Sequence, residues 1–142
     1  MFFSDEFYFL SNMYPCEIHC EINNTHFIFK SVESAFQAHK CPERAKEFVP
    51  LDGYKAKQLG KRVKLRNDWD EIKINVMEDL LRIKFSNPRL MQKLSWIEGD
   101  IIEENTWYDT YWGCWRGQGQ NKLGNLLMKI RDSKQPTVGK LI

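Results

Sequence analysis

The chain has 142 residues, a length that supports a single hydrophobic core. Hydrophobic residues make up 42% and charged residues 28%, the balance of an ordinary folded protein, and a net charge of +2 is too small to mark a nucleic-acid-binding protein by itself. No apolar run approaches the roughly 20 residues of a membrane span, and acids interrupt the opening MFFSDEFYFLSN where a signal peptide would be basic and then apolar, so a cytoplasmic chain with no membrane contact is expected.

The first periodic segment is CEIHCEI, residues 16–22, where Cys16, Ile18, Cys20 and Ile22 share one face at the two-residue period of a half-buried strand. Asn23 and Asn24 accept positive φ and extended character resumes at Thr25, so residues 16–30 read as a β-hairpin. Ser31 can cap a helix that starts at Val32 and is stopped by Pro42. A short helix over 43–49 ends at Pro50, and Asp52 with Gly53 opens another that runs to Gly60. Asp68 and Glu71 form a D-x-x-E capping box for the longest helix, whose apolar stripe is Trp69, Ile72, Val76, Leu80 and Ile83. Asn87 and Pro88 end it and begin a short helix with Leu90, Met91 and Leu94. Residues 101–103 read as a strand. A Gly- and Trp-rich loop follows, then a final helix from about Asn121 with Leu123, Leu126, Leu127 and Ile130 inward and a frayed tail after Arg131. No repeat, low-complexity stretch or linker is present. The expected fold is α+β, a single mainly helical domain over residues 1–142 with a small antiparallel β-sheet.

Three stretches carry the chemistry. In SVESAFQAHK, Glu33, Gln37 and Lys40 fall within roughly 60° of helical arc, so an acid, an amide and an amine line one stripe. A solvated face with an ordinary acid–base pair is the plainer account. Small alanines beside the stripe and the flanking Phe36 favour a site, and the helix dipole keeps a carboxylate near the N-terminus ionised. In YKAKQLGKRVKLR, six cations fall without an intervening acid: Lys55, Lys57, Lys61, Arg62, Lys64 and Arg66. A phosphate or pyrophosphate ligand suits them, and so does a wet basic surface. In WYDTYWGCWRGQGQNKLG, five of the nine residues from 107 to 115 are aromatic, with Asp109 the single acid. Gly117 and Gly119 lead to the helix start at Asn121, where exposed backbone N–H groups can hold an anion and neighbouring rings can sandwich a base. The same tryptophans can instead seal the core beneath a tight loop. No G-K-[ST] follows, which excludes a Walker A loop.

Cys16, Cys20, Cys41 and Cys114 lack a C-x-x-C spacing and a second ligand pair, so neither a metal site nor a disulfide framework is expected.

The same stretches resemble the NADAR superfamily, and within it the YbiA-like N-glycosidase family. The pattern runs F-x-x-x-x-x-F-L-S-N (Phe3 to Asn12), S-x-E-x-x-x-Q-x-x-K (Ser31 to Lys40) and A-x-x-L-G-x-x-V-x-L-R-x-D-W-D (Ala56 to Asp70). It continues as D-x-Y-W-G (Asp109 to Gly113), G-x-G-x-N-x-L-G (Gly117 to Gly124) and L-M-x-I-R (Leu127 to Arg131). The resemblance covers nearly the whole chain. It implies a substrate built on ribose phosphate or ADP-ribose and hydrolysis of its bond to a base nitrogen. The candidates are an early riboflavin-pathway ribosylaminopyrimidine phosphate and ADP-ribosylated guanine in DNA or RNA. The resemblance places Glu33 at the family's catalytic glutamate, Trp69 at a tryptophan important for activity, and Asp109 and Trp112 in the C-terminal active-site motif. With the residue pattern added, the catalytic candidates are Glu33, Lys40 and Asp109, the ligand-binding candidates are Asn12, Gln37, Arg62, Lys64, Arg66, Trp69, Trp112, Gly113, Gly117, Gly119 and Asn121, and no cofactor is expected. Two departures bear on substrate choice: Ser34 stands where the family commonly has His, and the loop after Trp112-Gly113 is one residue shorter, with Trp115 where relatives carry Gly.

N-glycoside cleavage passes through an oxocarbenium-like state, which Glu33 or Asp109 can stabilise. Lys40 can protonate the leaving group or attack C1′ of a ring-opened sugar to give a Schiff base. Two other functions fit the residues less well: a non-catalytic module that sequesters an ADP-ribose-derived nucleotide, and a single-stranded nucleic-acid binder.

Overall fold

The computed structural model describes residues 1–140, and side chains as far as Ser133. It divides into two compact units, one formed by Ser11–Ser86 and the other by Met1–Leu10 together with the chain from Asn87 onward. Among the described residues the architecture is mostly helical with one two-stranded antiparallel sheet, as the sequence pattern predicts. No helix is long and apolar enough to cross a membrane.

In the Ser11–Ser86 unit, β1 (Ile18–Ile22) pairs with β2 (Thr25–Phe29) so that Ile18 faces Phe29 and Ile22 faces Thr25. Asn23 and Asn24 take φ of 51° and 65°, the left-handed pair that a two-residue hairpin turn requires. Ile18, Ile22 and Phe29 are buried, while Cys16 lies outside the strand and donates its N–H to the Lys30 carbonyl at 3.0 Å. Ser31 caps α1 (Val32–Ala38) by accepting the Ser34 N–H, and every residue of this short helix is buried.

The helix ends at Ala38, three residues before the expected stop. Cys41 precedes Pro42 and sits at φ −144°, ψ 80°, because the proline ring bars it from helical backbone. The chain tightens ahead of it into a turn, with the Lys40 N–H on the Gln37 carbonyl and the Cys41 N–H on Ala38. A 3-10 helix, Pro42–Phe48, leads to α2 (Gly53–Gly60), capped by Asp52.

In α3 (Trp69–Lys84) the expected capping box does not form. The Asp68 carboxylate is taken by Arg66, with Nε at 2.6 Å and Nη2 at 3.2 Å. The buried face is also rotated from the expected stripe. Trp69, Met77, Leu80, Leu81 and Lys84 are buried, whereas Ile72, Val76 and Ile83 are half-buried.

The other unit opens with a 3-10 helix, Asp5–Leu10, that the sequence reading did not anticipate. Asn87 caps α4 (Pro88–Ser95), and Leu90 and Leu94 are buried. No strand forms at 101–103; isolated bridges join Phe2 to Glu104 and Glu104 to Cys114 instead. In α5 (Lys122–Lys140), Leu123, Leu126, Leu127 and Ile130 are buried as expected. The helix continues past the frayed end expected after Arg131, whose guanidinium bonds the carbonyls of Ile97 and Gly99 at 2.9 and 2.7 Å. Residues 141 and 142 of that expected tail lie outside the described residues.

Candidate active site

Glu33 occupies the first turn of α1, where backbone N–H groups lack partners within the helix. The Ser31 hydroxyl takes one such group, from Ser34, and the Asn12 carbonyl takes the Glu33 N–H at 3.0 Å. Asn12 thus meets α1 through its backbone. Its amide donates to the Met77 sulfur at 3.5 Å, and its Oδ1 is buried with no hydrogen-bond partner among the described residues.

The Gln37 Nε2 donates to the Glu33 carboxylate at 2.7 Å. Glu33 is 9% exposed and Gln37 5%, so this stripe is an interior feature and not a solvated face. A hydrogen bond to a charged group in such a place contributes about 1.5–3 kcal/mol. It also fixes the amide orientation and turns Gln37 Oε1, which has no partner among the described residues, toward Gly60. A Cβ at Gly60 would overlap that oxygen, and a Cβ at Gly53 would stand 2.5 Å from the Met13 sulfur and 3.2 Å from Glu33 Cβ. The face of α2 that meets α1 is therefore made of Gly53, Ala56 and Gly60, without which the helices could not approach so closely.

Lys40 follows α1 in the turn. Its Nζ lies 5.9 Å from the centre of the Trp69 ring and 6.0 Å from that of Phe36, and the two rings pack 4.9 Å apart. Burial lowers the ammonium pKa; Glu33 opposes the shift, and Lys57, Lys61 and Lys73 reinforce it. Trp69 is 6% exposed, so in this structure it walls the lysine and has little face open for stacking. The Arg66 N–H donates to the Lys40 carbonyl at 2.9 Å, and the Arg66 guanidinium is engaged by Asp68. Arg62 and Lys64 are exposed and form no ion pair with another described residue.

Asp109, Trp112, Gly113, Gly117, Gly119 and Asn121 belong to the other unit. Asp109 Oδ1 accepts the N–H groups of Tyr111 and Trp112, both at 2.9 Å, which makes a tight side-chain turn. Buried Asn105 braces the loop: its Oδ1 accepts from the Trp107 and Asp109 backbone, and its Nδ2 donates to the Asp109 carbonyl.

The open anion cradle expected at the start of α5 is not found. The N–H groups of Gln120, Asn121, Lys122 and Leu123 donate to the carbonyls of Thr110, Gly113, Tyr111 and Trp112 at 2.8–3.3 Å, so the loop fills the helix end itself. Arg116 and Gly117, at φ 52° and 78°, form the turn between Trp115 and Gln118. Gly119 has φ 152°, and a Cβ there would collide with the Gly113 carbonyl. A Cβ at Gly113 would lie 2.6 Å from the Glu103 carbonyl. Asn121 accepts the Glu103 N–H and donates to the Ile101 carbonyl, each at 2.9 Å. In this unit these residues set the loop geometry.

The sequence reading also passed over Lys84. It is 2% exposed, donates to the Ser11 carbonyl at 2.9 Å and lies 5.2–5.4 Å from the Phe85 and Tyr14 rings. Burial pushes its pKa down to about 8. A signal was available, since Lys84 follows buried Leu80 and Leu81 by four and three residues on the same helical face.

The NADAR domain matches residues 1–133 of this chain, and so extends over both units. The chloroplastic riboflavin biosynthesis protein PYRR of Zea mays is 31% identical over 159 residues; the match covers 94% of this chain and 24% of the maize protein, so the chain spans about a quarter of that relative. A protein of Nostoc punctiforme named as an N-glycosidase is 31% identical over 132 residues, covering 86% of this chain and 82% of that protein. The NMR structure of YbiA from Escherichia coli has a TM-score of 0.77 at 31% identity, covering 97% of this chain and 83% of that one.

Proposed function

Since this chain belongs to the NADAR family, we propose that it is an N-glycosidase that hydrolyses the bond between a phosphorylated ribose and a base nitrogen. The observation that supports this most is the Glu33 carboxylate, buried and oriented by Gln37, on the helix that leads to a half-buried Lys40. The relative from Nostoc punctiforme bears the name of this activity. The name of the maize relative favours a riboflavin-pathway ribosylaminopyrimidine phosphate over ADP-ribosylated guanine.

When the N-linked ribose ring opens, O4′ takes a proton and C1′ is left doubly bonded to the base nitrogen as a cationic iminium. A carboxylate already oriented by the protein stabilises that charge without reorganising at the moment of reaction, which is the role given to Glu33. Lys40 acts as a nucleophile in this reading. Its neutral amine attacks C1′ of the ring-opened sugar, the base leaves with a proton, and water then adds to the imine and frees the lysine. A lowered pKa keeps more of the amine neutral. The cations at 57–64 in the basic segment supply charge for the phosphate.

Product analysis by mass spectrometry tests the reading, with a ribosylaminopyrimidine phosphate and an ADP-ribosyl-guanine oligonucleotide offered side by side. Free base from the pyrimidine substrate is expected. Free ADP-ribose and unmodified oligonucleotide, with no base released from the pyrimidine substrate, would transfer the activity to ADP-ribose adducts, and no product from either would refute it.

A further inference from the structure

The sequence offers two places for a phosphate, the basic segment at 54–66 and the start of α5. In the first the Arg66 fork holds Asp68, and in the second the N–H groups hold loop carbonyls. Two other cations of the basic segment, together with one from α3, have a clear arrangement. Gly53 and Gly60 touch α1 at Glu33 and Gln37, which fixes the face that α2 turns toward α1. Lys57, four residues after Gly53 and three before Gly60, lies on that stripe and is half-buried.

Lys61 is four residues further on and caps the end of α2, next to the Gly60 that abuts Gln37. On α3 the Trp69 ring lies 5.9 Å from Lys40 Nζ, and Lys73, half-buried, shares the Trp69 face one turn later. Lysines on the faces of α2 and α3 that meet α1 and Trp69 thus stand on the side of Lys40, and all three act to lower its pKa.

Of the charged groups that act on Lys40, Glu33 is anionic and these three lysines are cationic, and Asp70 pairs with Lys73 at 3.1 Å. Lys57 and Lys61 form no ion pair with another described residue. Like charges that act on one amine repel it in the absence of an anion, and an anion placed among them relieves that repulsion.

We propose that Lys57, Lys61 and Lys73 form a phosphate-binding site around Lys40, one that takes the phosphoryl group of the substrate and seats its sugar beside the amine. Lysines bind such a group as point charges and need no fork geometry. The placement beside the amine rests on the N-glycosidase reading; the binding of phosphate does not.

Calorimetric titration with ribose 5-phosphate and with ADP-ribose separates the two, because neither ligand requires turnover. Lys57→Met and Lys61→Met should each weaken ribose 5-phosphate about tenfold, the loss expected for one charged contact. Lys57→Arg should restore most of it, and Lys55→Met, on the exposed side of α2, should bind as the wild type does. Melting temperatures confirm that each variant is folded. Weakening confined to ADP-ribose would support the same site with a pyrophosphate occupant. Equal losses in Lys55→Met, larger losses in Arg62→Met or Lys64→Met than in Lys57→Met, or unchanged affinity in Lys57→Met and Lys61→Met would overturn the proposal. A chain that binds ribose 5-phosphate through these lysines yet releases no base would retain the site and lose the reaction.

Discussion

Replacing Gly60 by alanine adds one methyl group, and the structure says where it goes. The new Cβ would overlap Gln37 Oε1 and stand 2.9 Å from Cδ, so the Gln37 amide has to move. Gly60 is not among the residues at positive φ, and alanine therefore meets no backbone strain. Helix propensity favours alanine by about 1 kcal/mol. Against this stands the 2.7 Å bond from Gln37 to Glu33, a charged contact of about 1.5–3 kcal/mol that the displaced amide loses. Net stability should fall by about 1 kcal/mol, while Glu33 loses its orienting partner. A catalytic group misplaced by about an ångström costs on the order of a hundredfold in rate, so kcat should fall steeply with KM little changed. The assay is steady-state base release, read beside thermal melting. Gln37→Ala makes room for the methyl, so the Gly60→Ala effect should largely disappear in that background. Losses in kcat that simply multiply across the two substitutions, or a melting shift with no change in kcat, would refute the reasoning.

Borohydride added during turnover should trap a sugar-sized adduct on the intact protein, absent in Lys40→Met and retained in Lys55→Met; turnover without any adduct would return Lys40 to the role of proton donor. If the neutral Lys40 amine attacks, kcat/KM should rise with pH up to a folded pKa that lies below the ordinary lysine value of 10.5; a fall over that range would mark a proton donor. For Lys84 the folded pKa of about 8 lies below the ordinary lysine value of 10.5, so the unfolded chain binds more protons between those values and stability should rise with pH across that window, by about 3 kcal/mol in total. Urea midpoints at pH 7.5 and 10 should show that rise in the wild type and lack most of it in Lys84→Met; equal slopes in the two proteins would contradict the burial argument.

Three helix caps and the hairpin turn are legible in the sequence because their partners lie within a few residues. Ser31, Asp52 and Asn87 cap the helices they were expected to cap, and the Asn23–Asn24 turn closes the hairpin. Errors came from competition that spacing does not reveal. Asp68 has capping geometry in the sequence, but Arg66 two residues away offers its carboxylate a bidentate partner. The stripe on α3 was misplaced because Lys84, polar by type, belongs to the buried face where the Ser11 carbonyl receives its proton. The glycines before α5 suggested an open anion cradle, yet the carbonyls of residues 110–113 fold back onto those N–H groups. The spacing places Lys40 on a helical stripe, whereas Pro42 ends the helix before it. The acid, amide and amine of that stripe are legible from their spacing. The lysines brought to them by α2 and α3 depend on glycine contacts that only the fold makes visible.

The central claim is that the Glu33 carboxylate stabilises the transition state of N-glycoside cleavage. Single-turnover base release from a ribosylaminopyrimidine phosphate, measured in wild type and in Glu33→Gln, tests it most directly. Glutamine keeps the shape of the side chain and removes its charge. The account predicts that Glu33→Gln retains ligand affinity and loses well over tenfold in the rate of release. Release at the wild-type rate from a folded, ligand-bound Glu33→Gln protein would contradict it.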